Sequence, residues 1–110
     1  MDKPITWVGS SRSKIKGFPV RARQQAGYQL RRTQQGLPPT DWKSMARIGP
    51  GVAEIRLHEP HECRVIYVAK FVEAIYVLHA FTKKTRKTGK HDVEIAKEAY
   101  DAVVSLRRKS

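Results

Sequence analysis

Apolar and polar positions alternate most regularly in residues 52–58, and this period of two predicts a half-buried β-strand. Residues 64–70 and 74–81 are apolar on both faces, which predicts two strands at the centre of the same sheet. A short β-branched and aromatic run, residues 5–8, predicts a further strand near the start of the chain. The pattern therefore predicts a sheet of four strands.

Three other segments have the spacing of α-helices. Ser10 or Ser11 can cap a short helix that ends at Gly17, and a second helix is expected over residues 20–35. A third helix is expected to begin with Asp92 as its N-cap. The two long helices each carry an apolar stripe with a spacing of three to four residues. The stripes consist of Ala22, Ala26 and Leu30 in the second helix and Val93, Ala96, Tyr100, Val103 and Val104 in the third.

The elements follow one another in the order β-α-α-β-β-β-α. This order predicts an α+β fold with one antiparallel sheet and helices packed against it. No repeat or linker divides the chain, so residues 1–110 are expected to form a single domain. Trp7 and Trp42 are expected to anchor the core. Residues 49–51, Gly-Pro-Gly, are expected to form a turn, since they lack the spacing of a phosphate-binding loop.

The charge balance points to a polyanionic partner. The chain has 22 Lys and Arg residues against 10 Asp and Glu, a formal net charge of +12. So strong a positive field on a small domain is typical of proteins that bind nucleic acid. A basic surface kept for solubility, or a place in a larger assembly such as a ribosome, explains the same charge without a specific site.

Several functional classes are disfavoured by what the sequence lacks. Cys63 is the single cysteine, so an internal disulfide is impossible, and no Cys/His cluster has the spacing of metal ligands. The sequence shows no signal peptide and no apolar run near the roughly 20 residues that span a bilayer. We therefore expect a cytoplasmic protein without cofactor, metal or membrane partner, in which Cys63 is a small strand residue.

The turn around Pro60 predicts how two central strands pair. If the turn centres on this proline, Arg56 lies directly opposite Arg64 with both side chains on one face. Like charges at this distance are unfavourable unless both side chains reach water or an anion binds between them. A second turn of even length would bring His79 beside Arg64. A turn of odd length would send His79 towards the core, as a hydrogen-bonded core histidine.

The end of the last strand supplies the groups that cleave RNA without a metal. A histidine can transfer protons, cations can stabilise the charge that grows on the phosphate, and an aromatic ring can stack an unpaired base. The same basic loop explains phosphate binding without any chemistry, and the aromatic ring is explained equally well as strand-end core. The residues concerned are His79, Phe81, Lys83, Lys84, Arg86 and Lys87.

Motifs on three strands are more specific in combination than any of them alone. They are Glu54-Ile55-Arg56, Arg64-Val65-x-Tyr67 and Leu78-His79-x-Phe81-x-Lys83-Lys84-Thr85, with weaker matches at Trp7-x-Gly9-Ser10, Phe18-Pro19 and Asp41-Trp42-Lys43. Together they resemble the HigB-like, phage-derived branch of the RelE/ParE toxin superfamily. The resemblance extends from about Ile5 to Tyr100, nearly the whole chain.

This resemblance implies a RelE-like fold and a toxin of a bacterial type II toxin–antitoxin pair. Such toxins are typically metal-independent ribonucleases that cleave mRNA, often on the ribosome, and leave a 2′,3′-cyclic phosphate and a 5′-hydroxyl. Their usual partner is an antitoxin, here expected to contain a helix-turn-helix domain. By position, the resemblance implies catalytic roles for His79, Arg64, Arg56, Lys83 and Lys84. Residues expected to bind RNA are Phe81, Arg86, Lys87 and Lys70.

The sequence leaves the general base and the activity open. RelE itself relies on a tyrosine close to its C-terminus, whereas Tyr100 lies on the apolar stripe of a helix and is expected to be core. The general base is therefore either His79 or a lysine of depressed pKa. The superfamily also includes gyrase poisons that share the fold without cutting RNA, and a basic RNA-binding module would carry the same charge.

Overall fold

The protein has the predicted α+β class, as seen in a computed structural model that describes residues 2–84 and 87–109. Its strands are β1 (Ile5–Trp7), β2 (Trp42–Ser44), β3 (Val52–Leu57), β4 (Cys63–Val68) and β5 (Ile75–Thr82), and its helices are α1 (Ser11–Lys16), α2 (Val20–Gln34) and α3 (Lys90–Arg108). All five strands belong to one sheet with the order β1-β5-β4-β3-β2. The predicted meander β3–β5 is therefore its centre.

Two features of the sheet differ from the sequence prediction. β1 pairs with β5 in parallel, so the sheet is mixed, and the expectation of a purely antiparallel sheet was wrong. Two helices separate β1 from the meander, and apolar pattern alone does not fix the direction of a strand joined in this way. The short edge strand β2 was missed because all three of its residues are exposed. Trp42 in β2 is 47% exposed and is not the expected core anchor, whereas Trp7 packs against the core.

Helices cover both faces of the sheet. α1 and α2 pack on the face that carries Ile55, Val65 and Val77. α3 packs on the opposite face, against residues such as Ile66 and Leu78. Because α3 lies chiefly over β5, part of the second face lies beyond it towards β3. None of the helices in the described ranges combines the length and apolar content needed to cross a bilayer.

A β-bulge in β5 decides where His79 points. The residues that lie opposite each other are Arg64 and Phe81, Ile66 and His79, and Tyr67 and Val77. Leu78 is thus an extra residue of β5. Strict alternation from Val77 would turn His79 towards α1 and α2, whereas the bulge turns it towards α3. His79 therefore lies on the same face of the sheet as Arg64, but Phe81 and not His79 lies directly opposite Arg64.

The loop between β2 and β3 packs directly on α3. A Cβ atom at Gly49 would lie 2.6 Å from Cε2 of Tyr100, which is too close for any side chain. The absence of a side chain at Gly49 lets the Tyr100 ring pack at 8% exposure, so Tyr100 is a core residue as predicted. The loop is thereby held near the open part of the second face.

Candidate anion-binding cleft

A cleft of about 380 Å³ lies between the β2–β3 loop, strand β3 and the segment that precedes α3. We call it the basic cleft. The cations that line it are Lys43, Arg47, Arg56, Lys83 and Lys87. Within the described chain, Glu54 is the one acidic residue in its lining. An excess of cations in a concave site raises the local concentration of anionic ligands.

Arg56 and Arg64 lie directly opposite each other on β3 and β4, which confirms the predicted pairing. Arg56 is half-buried and lines the basic cleft. Its Nε atom is buried and has no hydrogen-bond partner among residues 2–84 and 87–109. The Nε atom of Arg64 is buried and without a partner in the same ranges, but of the two opposed arginines only Arg56 lines the cleft, where a ligand can reach its side chain.

Arg64 is 2% exposed and is surrounded by protein acceptors. One terminal nitrogen donates to the carbonyl of Cys63 at 2.9 Å, and the other donates to Oε1 of Glu62 at 2.8 Å. Its Nε lies 3.6 Å from Oε1 of Glu54. Arg64 does not line the basic cleft, so its expected direct contact with a phosphate does not match its position. Its positive charge acts on Lys83, which does line the cleft.

Glu54 and Thr88 are site residues that the sequence reasoning did not select. Glu54 is 2% exposed, yet its carboxylate borders the basic cleft. The hydroxyl of Thr88 donates to its Oε2 at 2.6 Å, which ties the segment before α3 to β3. The sequence signal that could have identified Glu54 was its polar position in the alternating pattern of β3. A carboxylate buried beside Arg64 neutralises that arginine and fixes its side chain.

The surroundings of Lys83 disfavour its protonated form. Burial and, next, the positive charge of Arg64 lower the pKa of Lys83 below the ordinary lysine value. Its backbone is held by a 2.7 Å hydrogen bond from its N–H to the carbonyl of Glu62. A lysine that loses its proton more readily can serve as a base, one of the two alternatives that the sequence left open.

His79 occupies a buried position. It is 2% exposed, its Nε2 lies 2.8 Å from Oδ1 of Asp92, and its ring stacks on Phe81 with 5.3 Å between the centroids. This is the hydrogen-bonded core histidine that the sequence allowed, although the core it joins is the one under α3. Phe81 is 9% exposed and is likewise strand-end core, not a ring open to a base.

Asp92 links the buried His79 to the protein surface. α3 begins at Lys90 after Gly89, so the expectation of Asp92 as N-cap was wrong. Asp92 instead lies in the first turn of the helix and borders a second hollow of about 310 Å³, which we call the lysine hollow. Its lining consists of Phe81, Thr82, Lys83, Lys84, Lys87, Gly89 and Asp92. Since Lys83 and Lys87 line both, the lysine hollow and the basic cleft are neighbours, and we call the two together the groove.

Two predicted RNA-binding residues do not belong to this groove as described. Lys70 follows the far end of β4, where its Nζ lies 5.1 Å from the centre of the Phe71 ring. Arg86 lies outside the described residues. In the described ranges, no group of three or more His, Cys, Asp or Glu side chains is arranged to hold a metal ion. The cationic side chains that line the groove are those of Arg47, Arg56 and the lysines.

His58, directly after β3, lies between two carboxylates, those of Asp41 and Glu62. His58 bonds to Asp41 through Nε2, and its Nδ1 lies 2.8 Å from Oε2 of Glu62. The hydrogen bond to Asp41 and, next, the one to Glu62 raise the pKa of His58 above its ordinary value. Arg64 and, next, His58 lower the pKa of Glu62. This chain of charges joins the turn to the buried Arg64.

The fold and the groove define a small, strongly basic α+β protein with a cleft lined mainly by cations. The chain belongs to the phage-derived, Gp49-like family: the family model described as "Phage derived protein Gp49-like (DUF891)" matches residues 13–101. The Gp49-like family is a RelE-like toxin family, which supports the resemblance to RelE-like toxins that the sequence motifs indicated. No curated protein matches the chain significantly.

Proposed function

We propose that the protein is a HigB-like ribonuclease toxin whose basic cleft binds and cleaves mRNA on translating ribosomes in the cytoplasm. The observation that carries this proposal is the basic cleft itself, in which the half-buried Arg56 lies among four other cations and, within the described residues, a single carboxylate. An RNA backbone supplies negative charges at regular spacing, which a groove of this kind can follow. The family's toxin character is the second support.

Arg56 is the residue that binds the phosphate to be cleaved. Its guanidinium can donate two parallel hydrogen bonds to phosphate oxygens, and its charge stabilises the pentacoordinate transition state. Lys83 and Lys87 line both parts of the groove and bind neighbouring phosphates. Because these side chains supply the positive charge, the proposed reaction needs no metal and no cofactor.

Lys83 is the proposed general base. Its neutral amine takes the proton of the ribose 2′-hydroxyl, and the 2′-oxygen attacks the adjacent phosphorus. The bond from phosphorus to the 5′-oxygen breaks, and the leaving oxygen takes a proton from the ammonium group of Lys84 on the rim of the lysine hollow. The products are a 2′,3′-cyclic phosphate and a 5′-hydroxyl, so atoms and charges balance without water.

Arg64, Glu54 and His79 are positioning residues in this mechanism. Arg64 is held by Glu54 and Glu62, and its charge contributes to the lowered pKa of Lys83. His79 holds Asp92 in the first turn of α3, which orders the wall of the lysine hollow. The partner that restrains the toxin is proposed to be an antitoxin with a helix-turn-helix domain.

The test is to add purified protein to translating ribosomes and to map the 5′ ends of the mRNA. Wild type is expected to produce new ends, and Arg56→Ala is expected to reduce them at least about 100-fold, since one charge-stabilising donor is worth this much. The matched control is Arg12→Ala, which removes an exposed cation from α1 on the opposite face of the sheet. Absence of new ends with wild type would overturn the proposal.

A further inference from the structure

A third concave surface shares Arg56 with the basic cleft. It has a volume of about 430 Å³ and lies between α2, the start of β2 and the end of β3. We call it the side hollow. Its lining consists of Arg21, Gln24, Gln25, Gln29, Thr40, Asp41, Arg56, Leu57, His58 and Glu59. Since Arg56 lines both spaces, a ligand whose phosphate binds Arg56 can extend into either one.

The charges of the two spaces differ. The basic cleft has five cations against one carboxylate, whereas the side hollow has Arg21, Arg56 and His58 against Asp41 and Glu59. Within the hollow, His58 is already bonded to Asp41, and Arg21 faces Glu59 at 3.8 Å. A phosphate gains little in so balanced an environment. The side hollow therefore suits an uncharged, polar group.

The floor of the side hollow is rigid. Gln29 is 4% exposed, and its side-chain nitrogen donates to Oγ1 of Thr40 at 2.6 Å. Its side-chain oxygen accepts the backbone N–H of Thr40 at 2.8 Å. Since the Thr40 oxygen accepts from Gln29, its own hydrogen is left to donate to a ligand. A buried amide that is bonded at both ends fixes this donor in place.

The wall of the hollow presents donors and acceptors together. Gln24 and Gln25 are exposed residues of α2, and each carboxamide has one acceptor oxygen and two N–H donors. This combination matches the edge of a nucleobase, where donors and acceptors also stand side by side. A volume of about 430 Å³ also falls within the range of about 300–1,000 Å³ typical of sites for small ligands.

We propose that the side hollow is a nucleobase subsite. It holds the base of the nucleotide whose phosphate binds Arg56, with Gln24, Gln25 and Thr40 as hydrogen-bonding groups. This inference rests on the proposed function, because it takes RNA as the ligand of the basic cleft. It adds that the protein discriminates among nucleotides through a surface on α2, at the side of the sheet away from the lysines.

The experiment compares ligands that share a phosphate and differ in the base. ¹⁵N-labelled protein is titrated with AMP, GMP, CMP and UMP, and separately with ribose 5-phosphate, which has no base. The side-chain amide signals of Gln24 and Gln25 are followed by NMR, with the Nε signal of Arg56 as the reporter of phosphate binding. The amide of Gln35, exposed at the other end of α2, is the matched control.

The expected result is that the Gln24 and Gln25 amides shift with at least one nucleotide and not with ribose 5-phosphate, while Arg56 responds to both kinds of ligand. The double variant Gln24→Ala/Gln25→Ala is expected to weaken that nucleotide about 3- to 10-fold and to leave ribose 5-phosphate unchanged. If the Gln24 and Gln25 amide signals shift with none of the four nucleotides, or shift equally with ribose 5-phosphate, the nucleobase subsite is overturned and the phosphate site is not. An Arg56 signal that responds to no ligand would overturn the phosphate site, and with it the proposed function.

Discussion

Arg56 and Arg64 face each other across β3 and β4, yet of these two arginines it is Arg64 that contacts the carboxylates Glu54 and Glu62. Arg64 is buried and donates to the carbonyl of Cys63 and to Glu62, while Arg56 is half-buried and lines the basic cleft. The two arginines of this cross-strand pair thus have different roles. One holds the wall of the cleft together, and the other is available to a ligand.

The two arginines should therefore differ when each is replaced. Arg64→Ala leaves Glu54 buried without its counter-charge, and we expect it to lower the free energy of unfolding by about 3–5 kcal/mol. Arg56→Ala removes a side chain with little bonding to the protein, so its stability should stay within about 1 kcal/mol of wild type. Urea unfolding followed by circular dichroism measures both. Equal losses of stability would show that Arg56 is also a structural residue.

Lys83→Arg separates binding from proton transfer. Arginine keeps the positive charge but does not give up its proton in the physiological range, so RNA should still bind. The cleavage rate should fall about 10²- to 10⁴-fold, the usual contribution of a general base. The cleavage rate of the wild type should also increase with pH until the Lys83 amine is deprotonated. Because the pKa of Lys83 is lowered, this increase should end at a lower pH than it would for an ordinary lysine.

Single-turnover rates measured across the pH range test this assignment. The matched control is Lys97→Arg, on an exposed position of α3. A Lys83→Arg variant that cleaves at the wild-type rate would show that another group accepts the 2′-proton.

His79 should act through packing. His79→Ala removes a buried ring that stacks on Phe81, and we expect a loss of about 3 kcal/mol in stability. His79→Phe keeps an aromatic ring in the core and removes only the positioning bond to Asp92, so cleavage should fall by no more than about tenfold, the worth of one hydrogen bond. Cleavage assays on both folded variants provide the measurement. If His79→Phe were as inactive as Arg56→Ala, His79 would have to contact the reacting atoms.

The pH dependence of stability should report on His58. Its partners Asp41 and Glu62 raise its pKa in the folded state, so its contribution is complete below its ordinary pKa of 6.5. The contribution is lost as the pH increases through the raised value. The difference in melting temperature between wild type and His58→Gln should therefore be largest below pH 6.5 and should decline above it. A difference that grows with pH would contradict these contacts.

Much of the sheet could be predicted because the pattern of β3 to β5 is long and regular. The turn at Pro60 was enough to pair Arg56 with Arg64, since one hairpin centre fixes every pair in its ladder. The position of Tyr100 in the core also followed from helical spacing. β2 could not be predicted, because an edge strand of three exposed residues has no pattern of its own.

The site was harder to predict because it depends on contacts distant in sequence. One extra residue, Leu78, turns His79 under α3, and nothing in the composition of β5 marks this bulge. Glu54 and Thr88 are 34 residues apart and are joined only in the folded chain. The sequence identified Arg56, Lys83, Lys84 and Lys87, which line the groove, but it could not tell which arginine of the pair is buried.

The most direct measurement uses an mRNA that carries a single 2′-deoxynucleotide on the 5′ side of a mapped cleavage position. The substituted sugar lacks the nucleophile that Lys83 is proposed to activate, while the charge and length of the strand are unchanged. We predict that purified wild-type protein on translating ribosomes no longer cleaves there, although it cleaves the unmodified mRNA to a 2′,3′-cyclic phosphate end. Continued cleavage at the deoxy position would contradict attack by the 2′-hydroxyl and the mechanism assigned to the basic cleft.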